Sequence, residues 1–173
     1  MRALVIVESS FGNTRAVAEA IAEGLASGAE VQVQDVDDGP AELPADIDLL
    51  VVGGPTQAFG LSRAGTRTSA VTGREPQAHS GSGLREWLER LRPARTGVAA
   101  AAFDTRINSP KVPGSAARAA RRRLDRLEFD VVAPPESFFV TGREGPVAPG
   151  ELDRARSWGR HLAAAEPQTD LTG

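Results

Sequence analysis

The stretch Glu8-Ser9-Ser10-Phe11-Gly12-Asn13-Thr14 decides the fold of this chain, because it joins an apolar run to a segment with helical periodicity. The apolar run covers residues 3–7 and the periodic segment covers residues 15–25. A buried strand that turns into a helix over a few small residues directs free backbone N–H groups, and the positive end of the helix dipole, towards one point in space. The stretch therefore favours a site for a phosphate group, with a capped turn that binds nothing as the alternative.

The individual residues of this turn suit an anion. Ser9, Ser10 and Thr14 add hydroxyl donors, Gly12 relieves the tight turn, and Asn13 tolerates an unusual backbone angle or caps the helix. Because the turn contains no lysine or arginine, we expect neutral donors to hold the anion.

Composition limits the class of protein. With 173 residues, 40% of them hydrophobic, the chain is long enough for one domain with a buried core. The absence of cysteine excludes disulfides, thiolate metal sites and cysteine nucleophiles. The net charge of −3 does not favour nucleic acid as a partner. Because the sequence shows neither a secretory signal nor an apolar run of ~20 residues, we expect a cytoplasmic protein that does not contact membranes.

Apolar runs alternate with helical patterns along the chain. This alternation predicts an α/β fold, a three-layer sandwich with a five-stranded parallel sheet, right-handed crossovers and helices on both faces. We expect the domain to span residues 1–165 and residues 166–173 to form a disordered tail. The predicted strands are residues 3–7, 30–36, 47–52, 97–103 and 129–133, the last continuing in extended form to 138–140 after two prolines, and the predicted helices are residues 15–25, 84–91, 114–127 and 150–164.

Three conspicuous loops follow predicted strands one, three and four. In a parallel sheet, ligands bind beyond the carboxyl ends of the strands, and all three loops emerge at that edge. The second loop begins at Gly53 and leads into a polar segment that reaches Gly83. A connection of that length is usually functional or mobile. The agreement of the three loops strengthens the prediction of a site at this edge.

These loops resemble those of the flavodoxin family. Ser9-Ser10-Phe11-Gly12-Asn13-Thr14 resembles the family's phosphate loop, usually written S/T-x-T-G-N-T, with Phe11 where a threonine is common. Gly54-Pro55-Thr56-Gln57-Ala58-Phe59-Gly60 resembles the second flavin loop, in the G-P-T-x-F-G style of flavodoxin-like quinone reductases, with one extra residue. Phe103-Asp104-Thr105-Arg106 stands in the place of the third loop. The resemblance covers the chain from Met1 to about residue 165 and implies the strand order 2-1-3-4-5.

The family binds FMN non-covalently, so the resemblance implies an FMN site in this chain. It implies that the phosphate binds in the first loop and that the isoalloxazine lies between the second and third loops, with Phe59 as its aromatic wall. Gly60 would allow a peptide to rotate there at low cost. The implied contacts are Ser9, Ser10, Phe11, Gly12, Asn13, Thr14, Pro55, Thr56, Gln57, Ala58, Phe59, Gly60, Phe103, Asp104, Thr105 and Arg106. We predict no metal site and no catalytic side chain.

The chain departs from the family pattern in two places. Many flavodoxins have a tyrosine in the third loop, but this chain has none. Phe103 either substitutes for it or, as the last residue of a predicted strand, belongs to the core. Residues 61–74 carry three arginines and no acid, where typical flavodoxins surround the flavin with carboxylates. Such a basic rim would stabilise flavin anions and attract an acidic partner or a nicotinamide phosphate, unless it is simply a solvated lid.

Three functions remain open at this point. The first is a one-electron carrier between a reductase and an acceptor, as a monomer or weak dimer. The second is an NAD(P)H-dependent quinone reductase, and the third is a flavin-free interaction module. His79 and His161 lack metal-ligand spacing. The arginines from Arg118 to Arg126 could touch nucleic acid, but without interleaved aromatic residues we interpret them as a solvated helix face and expect no nucleic-acid partner.

Overall fold

The computed structural model describes residues 1–57, 60–62, 83–109 and 114–165. Ala58, Phe59, residues 63–82 and the predicted tail lie outside the described residues. In chain order, the strands are β1 (Arg2–Val7), β2 (Glu30–Asp35), β3 (Glu42–Leu43), β4 (Leu49–Pro55), β5 (Arg92–Pro93), β6 (Ala99–Ile107), β7 (Asp130–Val131) and β8 (Glu136–Val140). The helices are α1 (Asn13–Leu25), α2 (Leu84–Arg90), α3 (Ala116–Arg126) and α4 (Glu151–Ala164).

The main sheet is parallel and confirms the predicted strand order. Its strands lie in the order β2-β1-β4-β6, and both β7 and β8 pair with β6 at the fifth position. The fifth strand is interrupted at Pro134 and Pro135, whose missing N–H groups cannot join a ladder. A separate two-stranded sheet, β3 with β5, was not predicted.

Helices cover both faces of the sheet, as expected for a three-layer sandwich. The face under α1 and α4 and the face under α2 and α3 each carry a separate buried apolar cluster. Helices α1 and α4 pack so closely that a Cβ added at Gly24 would lie 2.1 Å from the backbone oxygen of Arg156. The first cluster contains Val5, Val51, Val17, Ile21, Ala155 and Leu162, and the second contains Ile6, Val52, Trp87, Leu88, Ala120 and Leu124.

Three of the elements that border the predicted loops have boundaries that differ from the predicted ones. Helix α1 begins at Asn13, directly after Gly12, whose φ of 83° ends the loop in the left-handed region. Strand β4 continues to Pro55, and β6 continues to Ile107. The predicted third loop, Phe103 to Arg106, is therefore part of a strand. The predicted fourth strand ends at Phe103, before Asp104, Thr105 and Arg106, but these residues pair in register with β8.

Within residues 1–57, 60–62, 83–109 and 114–165, the helices are all too short or too polar to cross a membrane.

Candidate functional site

Three neighbouring strands end at the same edge of the sheet and bring the predicted loops together. Strands β1, β4 and β6 lie side by side and run parallel, so their carboxyl ends meet. Loop 1, residues 8–12, follows β1, and loop 2, residues 56–62, follows β4. The carboxyl end of β6 contributes Thr105 and Arg106. The site is therefore built at the edge where parallel sheets bind their ligands.

The side chain of Ser9 holds the backbone of loop 1 in its conformation. The Oγ atom of Ser9 accepts hydrogen bonds from the backbone N–H groups of Gly12, at 3.2 Å, and Arg15, at 3.3 Å. Ser9 is 1% exposed, so this oxygen acts inside the loop and caps the first turn of α1. The positive φ of Gly12 is a conformation that residues with a Cβ rarely adopt. Ser9 and Gly12 thus shape loop 1 through its backbone.

The folded loop leaves backbone donors without acceptors. Among the described residues, the N–H groups of Ser10, Phe11, Asn13 and Thr14 donate to no oxygen. The hydroxyl of Ser10 also has no partner in the described part of the chain. Because buried or half-buried N–H groups are normally paired, four such groups at one helix N-terminus form a site for an anion. The phosphate site predicted from the sequence would use these donors.

Threonines connect loop 1 to the other two segments. The hydroxyl of Thr14 lies 2.8 Å from that of Thr105, and both residues are buried. The backbone N–H of Thr56 donates to the backbone oxygen of Thr105 at 2.9 Å. Thr105 therefore binds both the first turn of α1 and the start of loop 2, which fixes their relative positions. The side chain of Thr14 is thus already hydrogen-bonded within the protein.

Asp104 joins the end of β6 to the start of α3. Its Oδ2 atom accepts hydrogen bonds from the hydroxyls of Thr56, at 2.9 Å, and Ser115, at 2.6 Å, and from the N–H of Ala117, at 3.0 Å. Asp104 is fully buried. This corrects the expectation that Asp104 contacts the cofactor, because its carboxylate caps a helix and is enclosed by protein.

Phe103 lies in the core, which corrects its assignment as a cofactor contact. Its ring is fully buried and makes edge-on contacts with Phe138, at 6.2 Å between ring centroids, and Trp158, at 6.3 Å. A Cβ added at Gly53 on β4 would lie 2.1 Å from the same ring. Phe103 thus points to the α1 and α4 side of the sheet. Of the two alternatives predicted from the sequence, the one in which Phe103 belongs to the core is correct.

In loop 2, Gln57 and Gly60 exchange both backbone hydrogen bonds, at 2.9 Å and 3.0 Å. The expected contacts Ala58 and Phe59 lie outside the described residues. A Cβ at Gly60 would meet nothing within 4 Å, but the N–H of Gly60 is already donated to Gln57. Among the described residues, the buried side-chain oxygen of Gln57 accepts no hydrogen bond, so loop 2 presents an unused acceptor.

Two further predicted contacts lie at the margin of the site. Pro55 is the half-buried last residue of β4, directly before Thr56. The guanidinium of Arg106 donates to the backbone oxygen of Gly114 at 2.9 Å. Arg106 therefore holds the beginning of the α3 segment.

Sequence reasoning missed a buried carboxylate beneath the loops. Glu8 is 1% exposed, and its Oε1 atom accepts hydrogen bonds from the hydroxyl of Ser62, at 2.6 Å, and the backbone N–H of Leu84, at 2.7 Å. It thereby joins the end of β1 to loop 2 and to the first residue of α2. The only sequence signal for this role is an acidic residue placed directly after an apolar run.

A fourth loop, between β8 and α4, was also missed. A Cβ added at Gly145 would lie 2.3 Å from the side-chain oxygen of Asn13, so the two residues are in close contact. The φ of Gly145 is +95°, which also requires glycine. The side chain of Asn13 is therefore positioned by the loop before α4.

No cluster of three or more His, Asp or Glu residues that could hold a metal ion occurs within the part of the chain that the structure describes.

Comparison with known proteins agrees with this geometry. The family model described as Flavodoxin matches residues 5–103. Among solved structures, flavodoxin 2 from Bacillus cereus has a TM-score of 0.68 at 18% identity, covering 94% of this chain and 97% of that one. A flavodoxin from the domain Archaea has a TM-score of 0.64 at 20% identity, covering 94% of this chain and 96% of that one. A search of curated protein sequences finds no match.

The same fold is shared by other classes of protein. A WrbA-like flavodoxin from Agrobacterium tumefaciens has a TM-score of 0.56 at 17% identity, and covers 94% of each chain. Similarity at these identities shows the fold alone. The family-model match covers more than half of the chain, including loop 1, β4 and loop 2, and on this basis the chain belongs to the flavodoxin family.

Proposed function

We propose that this protein binds FMN non-covalently at the edge formed by loops 1 and 2 and acts as a one-electron carrier between a reductase and an acceptor. The proposal depends above all on the unpaired N–H groups of Ser10, Phe11, Asn13 and Thr14 at the N-terminus of α1. Members of the flavodoxin family usually bind FMN, which supports the choice of this mononucleotide.

The donors in loop 1 suit the phosphate of FMN. A phosphate dianion accepts several hydrogen bonds, and the helix dipole stabilises negative charge at this position. The backbone supplies four donors, and the hydroxyl of Ser10 supplies a fifth. Loop 1 contains no cation, so the binding energy comes from these neutral groups and the dipole.

The second loop suits a planar polar ring. The unpaired oxygen of Gln57 offers an acceptor to a ring N–H group. When bound, FMN supplies reversible electron transfer, which no side chain of this protein supplies. The residues of this chain bind and orient the cofactor. The contacts of Thr105 with Thr14 and Thr56 keep the start of α1 and the start of loop 2 at fixed relative positions.

Titration of the apoprotein with FMN and with riboflavin tests the phosphate assignment. Riboflavin lacks the phosphate, so groups that serve only the phosphate affect FMN alone. We expect Ser10→Ala to weaken FMN binding roughly 10- to 100-fold, the loss of one hydrogen bond to a charged group, and to leave riboflavin binding unchanged. The Ser10 hydroxyl has no partner in the described part of the protein, so this variant should retain full stability.

Ser157→Ala provides the control, because Ser157 is an exposed serine on α4. Equal loss of FMN and riboflavin affinity in Ser10→Ala would contradict the phosphate assignment. Failure of the wild-type protein to change the flavin spectrum at all would select the flavin-free interaction module.

A second measurement separates the carrier from a quinone reductase. The FMN-loaded protein is mixed with NADH or NADPH and a quinone, without any added reductase. A carrier requires a separate reductase, so we expect no oxidation of the nicotinamide above the background rate. Steady turnover by the purified protein alone would instead establish the NAD(P)H-dependent quinone reductase.

A further inference from the structure

Helix α3 carries a row of exposed arginines that the proposed cofactor site does not use. Arg118, Arg122 and Arg126 are all exposed and are spaced four residues apart, so they lie above one another on the same side of the helix. The opposite side of α3 is buried through Ala117, Ala120 and Leu124. We call the three residues the arginine strip. At 1.5 Å per residue it extends about 12 Å along the helix axis.

The arginine strip has no intramolecular counter-ions among the described residues. Arg121 and Arg123, on the flanks of the helix, pair with Asp125 at 3.7 Å and Glu89 at 3.2 Å. The three strip residues form no ion pair within the described ranges. The fold therefore provides acidic partners for the flanking arginines, but the described residues provide none for the strip.

Two features of the strip oppose helix formation. Like charges at positions i and i+4 repel, and the strip contains two such pairs in succession. Arg118 also lies in the first turn of α3, where the helix dipole disfavours a cation and where no acidic residue is present. The like-charge pairs and the position of Arg118 thus oppose the helix, whereas Arg126 lies in the last turn, where the helix dipole favours a cation. Contacts among the described residues therefore do not explain the strip as a whole.

The strip begins next to the candidate site. The N–H of Arg118 donates to the hydroxyl of Ser115 at 3.2 Å, and the hydroxyl of Ser115 donates to Asp104. The N–H of Ala116 donates to the hydroxyl of Thr56 in loop 2 at 3.0 Å. A protein bound along the strip would therefore reach the edge where loops 1 and 2 meet.

We propose that the arginine strip is the docking surface for an acidic redox protein, which exchanges electrons at the adjacent site. This proposal rests on the proposed function for the electron transfer but not for the docking itself. Guanidinium groups pair with surface carboxylates, and opposite charges steer association. Nucleic acid is disfavoured because the protein carries a net charge of −3, and because α3 contains an aspartate and no aromatic residue with which to stack bases.

Binding to an immobilised acidic haem protein, cytochrome b5, tests the docking surface. The wild-type protein should bind at low ionic strength and dissociate as salt is added. Arg122→Gln should weaken binding about threefold, and the triple variant R118Q/R122Q/R126Q should weaken it at least roughly tenfold. The matched control is Arg160→Gln, which changes the net charge by the same amount at an exposed position on α4. Equal effects of Arg122→Gln and Arg160→Gln would overturn the proposal.

The folding of the variants is checked independently. Removing the i, i+4 repulsion should leave the unfolding midpoint unchanged or raise it. The variant R118K/R122K/R126K keeps all three charges and should retain binding. Loss of binding in this lysine variant together with an unchanged midpoint would show that charge complementarity is not the cause. Tighter binding of the wild-type protein to a 20-base-pair DNA duplex than to cytochrome b5 would overturn the proposal in favour of nucleic acid.

Electron transfer provides the second readout. The FMN-loaded, reduced protein is mixed with oxidised cytochrome b5, and in parallel with the basic haem protein cytochrome c. We expect the triple variant to slow the reduction of cytochrome b5 roughly tenfold, and not to slow that of cytochrome c. If the chain fails to bind FMN, this readout is lost but the binding measurement still tests the strip. Docking without any effect on the rate would place the strip away from the electron-transfer route.

Discussion

The hydroxyl groups of Thr14 and Thr105 lie 2.8 Å apart in the protein interior, and this hydrogen bond joins the first turn of α1 to the end of β6. Replacing either residue with valine keeps the shape but leaves the other hydroxyl buried without a partner. We expect each single variant to lose about 1–3 kcal/mol of unfolding free energy. The double variant T14V/T105V should lose less than the sum of the two.

Chemical unfolding of the apoprotein measures this coupling without interference from bound cofactor. Thr14→Ser retains the hydroxyl and serves as the control. Additive losses in the double variant would show that the two hydroxyls do not interact.

The neighbouring glycines of β4 face different surroundings and should respond differently to alanine. A Cβ at Gly53 would lie 2.1 Å from the Phe103 ring, whereas a Cβ at Gly54 would be 3.6 Å from Leu84, an ordinary contact. We expect Gly53→Ala to cost about 1–3 kcal/mol or more through overpacking, and Gly54→Ala to change stability by less than about 1 kcal/mol. Thermal unfolding of the two variants provides the comparison. Equal stability of the pair would argue against the tight contact between Phe103 and β4.

Glu151 should make the stability of the α4 region depend on pH. Its hydrogen bond with the side chain of Arg154 is the main cause that lowers its pKa below the usual 4.5, and the N–H of Phe139 adds to the effect. A carboxylate with a lowered pKa stabilises the fold above its ordinary pKa, and this stabilisation is lost as the pH falls through the lowered value. We therefore expect Glu151→Gln to cost about 1.5 kcal/mol at pH 7 and progressively less as the pH falls below about 4.5.

Urea unfolding at several pH values measures this difference. Asp153→Asn, at an exposed acid on the same helix, should show a much smaller dependence. A constant difference between wild type and Glu151→Gln from pH 7 to pH 3 would contradict the role of the charge.

Asp104 should be important for stability without contacting the cofactor. Asp104→Ala leaves the hydroxyls of Thr56 and Ser115 and the N–H of Ala117 without their acceptor. We expect a loss of about 3 kcal/mol or more in unfolding free energy. At a temperature where the variant remains folded, FMN and riboflavin affinities should change by the same factor. A selective loss of FMN affinity would instead indicate that Asp104 acts on the phosphate site.

The fold was largely predictable because its signals are local. The apolar runs of β1 and β4 and the periodic pattern of α1 are each visible within about ten residues, and the predicted order of the sheet is confirmed. Loop 1 was recognisable for the same reason. The end of β6 was misinterpreted because Asp104 is polar, and polar residues are more common in loops. Asp104 can be buried because the hydroxyls of Thr56 and Ser115 donate hydrogen bonds to its carboxylate. The alternation of residues along a strand does not reveal these contacts.

The remaining parts of the site depend on contacts between distant residues. Glu8 meets Ser62 and Leu84 across separations of 54 and 76 residues. Asn13 contacts Gly145 from the opposite half of the chain. No local periodicity encodes such pairs, because they arise only when the crossovers have placed the loops at one edge. Local sequence patterns therefore predict which loops lie at this edge of the sheet, but not the hydrogen bonds between them.

The buried carboxylate of Glu8 has a consequence for chain connectivity. Because Ser62 and Leu84 bind the same carboxyl group, the residues on either side of positions 63–82 are neighbours in space. We therefore expect a short glycine-containing linker in place of residues 63–82 to preserve the contacts of Glu8, and with them the positions of β4 and α2.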